Sequence, residues 1–380
     1  MGRNPVSSVL GLLAALCLFL ASAARLTAQE PGPSTPAEKE ESEPEKEKVF
    51  ELGGFIDLYY SHNDNRPAGH TNFFPGAGVA AKRAEEFALN WAALEIRRDP
   101  DPVGFRLVAA AGNAVEVLHS GEPEGETVGR DELRHVYRAS VSYAVSDRLL
   151  IEGGIYPSHI GFESALPRDN WNYTGSWTAN FSPYYQTGVK AVWSFADGWS
   201  AGLHVVNGWQ VIADNNDAKS LGAHLGWSSE RSSVTVNGWA GPELPDDDSH
   251  QRTLLDLVAT TKVTDALSVA FEGYLGRQEL PETASASWSS LAGYARYQLN
   301  PEWAAAVRVE RFDDPDGGIS GLSQTIEEGT LTFEHRPHEK LLLKLEGRYD
   351  RSTEPIFNGE VEEQGEKNQL LLVLGSIVTF

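Results

Sequence analysis

The last stretch of the chain, Leu370-Leu-Leu-Val-Leu-Gly-Ser-Ile-Val-Thr-Phe380, is the part of the sequence that decides the fold. Every second residue, counted back from the C-terminus, falls on one stripe that contains Val378, Ser376, Leu374, Leu372 and Leu370. A strand with one largely apolar face at this spacing is typical of a wall that has lipid on one side. The stretch therefore predicts a transmembrane β-strand.

Segments with the same alternation recur from Phe50 onward, each about ten residues long, which is the length that a tilted membrane strand needs. The clearest segment runs from Leu341 to Asp350. Its odd-numbered face is apolar, and its even-numbered face carries Leu342, Lys344, Glu346, Arg348 and Asp350. Lipid outside and water inside would produce such a pattern.

The connections between these segments alternate in length, and the longest are Pro157–Pro183 and His62–Ala84. Short turns on one rim and long loops on the other are typical of outer-membrane barrels. The sequence predicts an all-β fold, a transmembrane antiparallel up-and-down β-barrel of about sixteen strands over residues 50–380. A soluble periplasmic β-protein stays open on composition alone.

The N-terminal residues predict two segments outside the barrel. Residues 1–28 have an early Arg3, an apolar stretch and small residues before cleavage points at Ala23 or Ala28, which indicates a secretory signal peptide. Residues 29–49 are rich in proline and glutamate and predict a disordered acidic tether in the periplasm. The one cysteine, Cys17, lies in the signal, so we expect no disulfide in the mature chain.

The chain is strongly acidic, with a formal net charge of -23. This charge argues against binding to nucleic acid or to anionic headgroups through basic patches, and it favours cations. Acidic runs such as Asp246–Asp248, Asp313–Asp316, Glu327–Glu328 and Glu360–Glu363 fall near the long connections and predict a negative outer mouth. A calcium site at Asp214–Asp217 or Asp246 stays open as a minor alternative.

The terminal Phe380 resembles the signal by which Gram-negative outer-membrane barrels are recognised for assembly. Together with the export signal, it predicts the outer membrane of a Gram-negative-type bacterium. The expected partners are outer-membrane lipid, the barrel-assembly machinery and small hydrophilic solutes or ions.

A barrel of this size leaves an aqueous channel, because wall side chains no longer fill the interior. The pore-lining candidates are the charged residues predicted to face inward: Glu95, Arg97, Arg106, Arg138, Lys190, Arg296, Arg308, Glu310, Lys344, Glu346 and Arg348. In a pore such residues set selectivity. Pairing across strands, with no role in selectivity, stays open for each of them.

The connection Pro157–Pro183 carries three further candidates, Glu163, Arg168 and Asp169. A long loop in a wide barrel can fold inward and form the narrowest point, and ordinary surface exposure stays open. The sequence contains no Gly-x-Ser-x-Gly or His-Glu-x-x-His motif. We therefore expect no enzyme activity, no metal and no cofactor.

Residues 156–227 carry a family likeness. Ile160-Gly-Phe-Glu163, Gln186-Thr-Gly-Val189 and Val206-Asn-Gly-Trp209, together with the opening Gly53–Tyr60, resemble the OmpL-like β-barrel porin family. The resemblance implies an outer-membrane barrel that acts as a passive pore. The layout is also similar to phosphate-selective porins, but those need a basic lumen, and the negative charge argues against that choice.

The leading hypothesis is a porin for small hydrophilic solutes that favours cations. The alternative is a non-conducting barrel that acts as a scaffold or sheath for an exported partner protein, and a barrel hydrolase is a third hypothesis. Homo-oligomer formation stays open, since no interface can be recognised in the sequence.

Overall fold

The structure is a computed structural model, and it describes residues 50–74, 76–122, 133–281, 285–361 and 364–380. The predicted signal peptide, residues 1–28, and the predicted acidic tether, residues 29–49, lie outside the described residues.

Within the described ranges, sixteen strands form one closed antiparallel barrel, as the sequence predicted. The barrel strands are β1 Glu51–Asn63, β2 Glu86–Arg98, β3 Val103–Ala111, β4 Val136–Ser146, β5 Leu149–Pro157, β6 Tyr185–Ala196, β7 Trp199–Val206, β8 Ser220–Ser228, β9 Ser232–Pro242, β10 Gln251–Lys262, β11 Leu267–Gln278, β12 Ala286–Gln298, β13 Trp303–Asp314, β14 Gln324–His338, β15 Leu341–Ser352 and β18 Asn368–Thr379. The short strands β16 Phe357–Asn358 and β17 Gly365–Glu366 pair with each other in the last long connection.

The barrel closes between its first and last strands, where Phe55 lies opposite Thr379 and Asn63 lies opposite Leu371. Closure pairs the backbone of every barrel strand with two neighbours, so no strand edge faces lipid. At the short-turn rim, the backbones of Gly54 and Phe380 exchange hydrogen bonds of 3.1 and 3.0 Å.

The predicted alternation sets the direction of the side chains. On β18, Leu370, Leu372 and Leu374 are exposed on the outer face, whereas Leu371 and Val373 are buried inside. β15 behaves in the same way, with lysine, glutamate and arginine inward and leucine and tyrosine outward. The outer faces of both strands therefore match the apolar stripes that the sequence predicted.

The connections also follow the predicted lengths. Those between β2 and β3, β4 and β5, and β6 and β7 cover only residues 99–102, 147–148 and 197–198. At the other rim, residues 64–85, 158–184 and 353–367 join β1 to β2, β5 to β6 and β15 to β18. The described barrel therefore has a short-turn rim and a long-loop rim, as the sequence predicted.

Parts of the long connections lie inside the long-loop half of the barrel. Phe73 and Ala81 from residues 64–85 are buried there, and helix α1, Asn113–Leu118, buries Ala114 and Val115. A second short helix, α2, Trp177–Asn180, lies in the connection between β5 and β6. None of the helices in the described part of the chain is long and apolar enough to span a membrane.

The lipid-facing stripe of β18 can be tested by depth. Leu374→Arg places a guanidinium on the outer face at the middle of β18, and Leu370→Arg places one near the long-loop rim. We expect the first variant to lose about 2–4 kcal/mol of unfolding free energy and the second about 0–1 kcal/mol, because the cost of a charge in lipid depends on depth. Urea unfolding of the barrel in vesicles, followed by tryptophan fluorescence, measures both losses. Equal losses would contradict a lipid-facing stripe.

Candidate functional site

The connection between β5 and β6, residues 158–184, folds into the barrel, and we call it the inner loop. Near its start, the Gly161 N–H donates to Asp256 Oδ2 on β10 at 3.0 Å. Further along, the Tyr173 hydroxyl donates to Asp57 Oδ1 on β1 at 2.9 Å. The sequence left two placements open for this connection, inside the barrel or exposed at the surface. In the structure it lies inside the barrel.

One buried arginine joins the inner loop to the wall. Arg308 on β13 donates from Nη1 to Glu163 Oε1 in the loop at 2.7 Å and from Nε to Glu328 Oε2 on β14 at 2.8 Å. Nη1 also donates to the Thr174 carbonyl at 2.6 Å. These side chains are almost completely buried, so they need partners to offset the loss of water. Charge-assisted hydrogen bonds on both sides of the guanidinium supply those partners.

A buried carboxylate of the wall accepts hydrogen bonds from the loop backbone. Glu346 on β15 accepts the N–H of Tyr173 at 2.5 Å through Oε2 and the N–H of Thr174 at 3.0 Å through Oε1. The hydroxyls of Thr174 and Thr332 donate to the same carboxylate at 2.5 and 2.7 Å. Four donors on one fully buried carboxylate fix both the depth and the direction of the loop.

Lys344, the neighbouring inward-facing residue on β15, contacts the loop through a positively charged group. Lys344 Nζ donates to the carbonyl oxygens of Pro167, Asn170 and Asn172 at 2.8, 2.5 and 3.2 Å. An ammonium group has three protons, and each of them has a carbonyl here. The loop therefore turns around this lysine.

Helix α2 is attached to the wall through its first backbone N–H groups. Glu310 on β13 accepts from the N–H groups of Trp177 and Thr178, both at 2.6 Å. The Trp177 indole N–H donates to Asp350 Oδ1 on β15 at 2.8 Å, and its ring stacks on Phe74 with 5.3 Å between centroids. The free N–H groups at the start of a helix need acceptors, and here the wall provides them.

The inner loop also needs one glycine of the wall. At Gly375 on β18, a Cβ atom would lie 2.4 Å from Cε2 of Tyr173. Only a residue without a side chain lets the tyrosine ring lie this close to the strand.

These contacts correct one expectation from the sequence. Five predicted pore-lining residues lie beneath the inner loop and are 5% exposed or less: Arg308, Glu310, Lys344, Glu346 and Arg348. Glu163 lies with them and is 8% exposed. All face inward as expected, but they contact the loop instead of water. Alternation along a strand predicts the face of a side chain and not what lies in front of it.

The remaining predicted residues form ion pairs on other parts of the inner wall. Arg106 on β3 lies 2.6 Å from Glu95 on β2. Glu152 on β5 lies between Arg138 on β4, at 2.6 Å, and Lys190 on β6, at 3.0 Å. The Arg106 side chain is 33% exposed, and the Arg138 and Lys190 side chains are 17% exposed. Charged side chains on β2 to β6 are therefore partly exposed, whereas Trp91 and Tyr156 on the same strands are fully buried.

Four further predicted residues also form ion pairs. Arg97 contacts Glu51 across β1 and β2, and Arg296 contacts Glu334 at 3.0 Å. In the inner loop, Arg168 lies 3.7 Å from Asp169 and 4.1 Å from the centroid of the Phe55 ring. For the wall residues Arg97 and Arg296, the structure has the cross-strand pairing that the sequence left open.

Several of the partner residues are not among the candidates that the sequence predicted, namely Glu51, Asp57, Glu152, Glu328 and Glu334. Their inward position follows the same alternation, so that signal was present. Glu152, for example, is the one charged residue of its strand. Its two partners could be recognised only from the register of β5 against β4 and β6.

Charged groups of the long connections outside the strands are also engaged. Lys82 donates to the carbonyls of Phe74 and Ala77, both at 2.9 Å, and burial lowers the pKa of its ammonium to about 8. Asp248 accepts the N–H groups of Asp217 and Ala218 at 3.0 and 3.1 Å. Within the described residues, no group of three or more His, Cys, Asp or Glu side chains could hold a metal ion.

Comparison with known proteins gives the following relationships. Residues 49–380 match the sequence model of a family described as "Putative beta-barrel porin-2, OmpL-like". No curated protein matches the chain.

Three solved structures illustrate the fold. The anion-selective porin from Comamonas acidovorans has 12% identity and a TM-score of 0.59, covering 87% of this chain and 99% of that one. The outer membrane channel DcaP of Acinetobacter baumannii has 11% identity and a TM-score of 0.58, covering 87% and 97%. OprB of Pseudomonas putida has 10% identity and a TM-score of 0.57, covering 88% and 94%. At these identities the similarity establishes the fold alone.

The attachment of the inner loop can be tested at Glu346. We expect Glu346→Ala to lower the unfolding free energy by roughly 2–4 kcal/mol, because it leaves buried N–H groups without an acceptor. The amides of Tyr173 and Thr174 should then exchange hydrogen faster, as measured by mass spectrometry. Glu334→Ala is the matched control, since its carboxylate pairs with Arg296 and makes no hydrogen bond to the loop. If both variants left the exchange of these two amides unchanged, Glu346 would not be what holds the loop.

Proposed function

The chain belongs to the OmpL-like β-barrel porin-2 family, and we propose that it is an outer-membrane porin through which small hydrophilic solutes diffuse passively. The observation that carries this proposal is the position of the inner loop, which buries the charged residues of β13 to β15 and leaves Arg106, Arg138 and Lys190 on β3, β4 and β6 partly exposed. A polar, partly exposed wall opposite a fixed loop provides a wet path across a membrane.

We propose that no chemical step accompanies this passage. The charged groups around the inner loop are engaged in ion pairs or in hydrogen bonds to its backbone, as Glu346 and Lys344 are. Such groups position the loop. The solute would move down its concentration gradient, with size and charge as the selecting properties.

We also propose a preference for cations, which rests on the exposed charges of the long-loop rim. On the water-facing wall, most arginines have a carboxylate partner, so their fields largely cancel. The exposed carboxylates of the long connections include Asp217, Asp246, Asp248, Asp316 and Glu360. Hydrogen bonds from the Ser249 backbone and the His250 side chain lower the pKa of the Asp247 carboxylate below its ordinary value. A negative mouth enriches cations near the entrance.

One predicted acidic run does not contribute to the mouth. Glu327 and Glu328 lie within β14, where Glu328 is buried beside Arg308 and Glu327 is on the outer face beside Arg311. The expected charge of the mouth is reduced accordingly, and Asp246–Asp248 remains its densest described acidic run.

The scaffold hypothesis also has an observation in its favour. Aromatic rings of the long connections pack inside the barrel, including Trp177 against Phe73 and Phe181 against the wall residue Phe312. A barrel closed by such packing would not conduct. Conductance separates the two functions.

For assembly, we propose that Phe380 is recognised at the periplasmic rim by the barrel-assembly machinery. Its side chain is 58% exposed, while its backbone is held by Gly54. A partner could therefore contact the ring without opening the strand pair.

The first experiment is single-channel recording of the refolded protein in a planar bilayer under a KCl gradient. We expect discrete current steps and a cation-selective reversal potential. A correctly folded barrel without steps would overturn the porin proposal and favour the scaffold. Steps with a chloride-selective potential would retain the pore and overturn the preference for cations.

The contribution of the paired wall can be tested at Glu152. Glu152→Gln keeps the shape of the side chain but leaves Arg138 and Lys190 without their carboxylate. We expect the reversal potential to move toward chloride, because two uncompensated cations then face the water path. Glu327→Gln is the control, with the same chemical change on the outer face of the barrel. Equal shifts in the two variants would mean that the wall of β4 to β6 does not border the conducting path.

A further inference from the structure

The outer face of the barrel carries a row of polar residues at the long-loop end of four adjacent strands. Strand register places Arg311 on β13 opposite Glu327 on β14, Glu327 opposite Arg351 on β15, and Arg351 opposite Asn368 on β18. All four residues are exposed. The row therefore runs around the outside of the barrel and not through its lumen.

This row borders a groove. A cavity of about 650 Å³ is lined by Arg311, Thr325, Glu327, Arg351, Thr353 and Lys367, among others. Three of these lining residues are cationic and one is anionic. Arg311 is held in place by Asp313 at 2.8 Å and Glu327 at 2.9 Å, and Lys367 donates to the Thr353 carbonyl. The groove thus presents positive charge on an otherwise acidic protein.

The next outward-facing residues toward the membrane centre are apolar or small. Below the row, register aligns Val309, Gly329, Tyr349 and Leu370 on the same four strands. At Gly329 a Cβ atom would meet nothing within 4 Å, so the surface is open there. The groove consequently lies where the lipid-facing surface ends and the polar rim begins, which is the depth of lipid headgroups.

We propose that this groove binds the phosphate groups of lipopolysaccharide, the phosphorylated glycolipid of the outer leaflet. Guanidinium and ammonium groups at headgroup depth are the usual partners of lipid phosphates. The acyl chains would lie along the apolar surface below the row, on the open strip at Gly329. The site goes beyond the porin function, since it lies outside the lumen and could bind lipid whether or not the barrel conducts.

The test is a titration of the refolded protein in detergent with a short-chain rough lipopolysaccharide, observed by native mass spectrometry. We expect binding that weakens about fivefold in Arg351→Ala and further in Arg351→Ala/Lys367→Ala, because each basic residue near an anionic lipid surface contributes on the order of 1 kcal/mol. Arg311 is left unchanged, since its removal would also leave Asp313 and Glu327 without a partner.

Arg277→Ala is the matched control, because Arg277 is exposed on β11 at the same rim but lies outside the groove. It should bind as the unchanged protein does, and lipopolysaccharide stripped of its phosphates should bind weakly to all forms. Equal weakening in Arg277→Ala, or equal binding of the dephosphorylated lipid, would overturn the proposal. Equal binding of phosphatidylglycerol would overturn the choice of glycolipid. A change of oligomeric state in the double variant, with lipid binding unchanged, would instead mark the groove as a contact between copies. Circular dichroism of the same variants checks that the barrel is folded.

Discussion

The contact between buried carboxylates of the barrel wall and backbone N–H groups of the inner loop is the interaction on which the interior depends. A barrel of sixteen strands is too wide for its wall side chains to fill. A loop that enters such a space must satisfy its backbone polar groups there. Glu346 and Glu310 accept those N–H groups, and Lys344 donates to the loop carbonyls. Arg308 then balances part of the negative charge that this arrangement requires.

This use of charge divides the wall into two functional parts. On β13 to β15, ionised residues are buried and act as attachment points for the loop. On β2 to β6, ionised residues are paired with one another, as Glu152 is with the partly exposed Arg138 and Lys190. Residue type alone does not distinguish the two groups. The difference arises because the loop, from Gly161 to Thr178, makes its buried polar contacts with β10, β13, β15 and β1.

The outer face follows a separate logic. Side chains that face lipid must be apolar, and the outward-facing residues are leucine and valine over most of the length of the strands. Positive charge appears where this band ends, at Arg311 and Arg351. The acidic composition of the whole chain gave no indication of such a groove. Net charge is an average, whereas a lipid headgroup meets only the few residues at its own depth.

The sequence by itself determined the strands, their approximate number, the lipid-facing stripe and the sorting of short and long connections. These features depend on residues close together in the chain, with a period of two and local turn chemistry. It also determined which charged residues face inward, including Arg308 and Glu346. Only the tertiary structure decided which of them are buried, because that depends on a loop more than 120 positions away in the chain folding over them. The pairings across strands required the closed register, since burial and charge compensation are properties of groups brought together by the whole barrel.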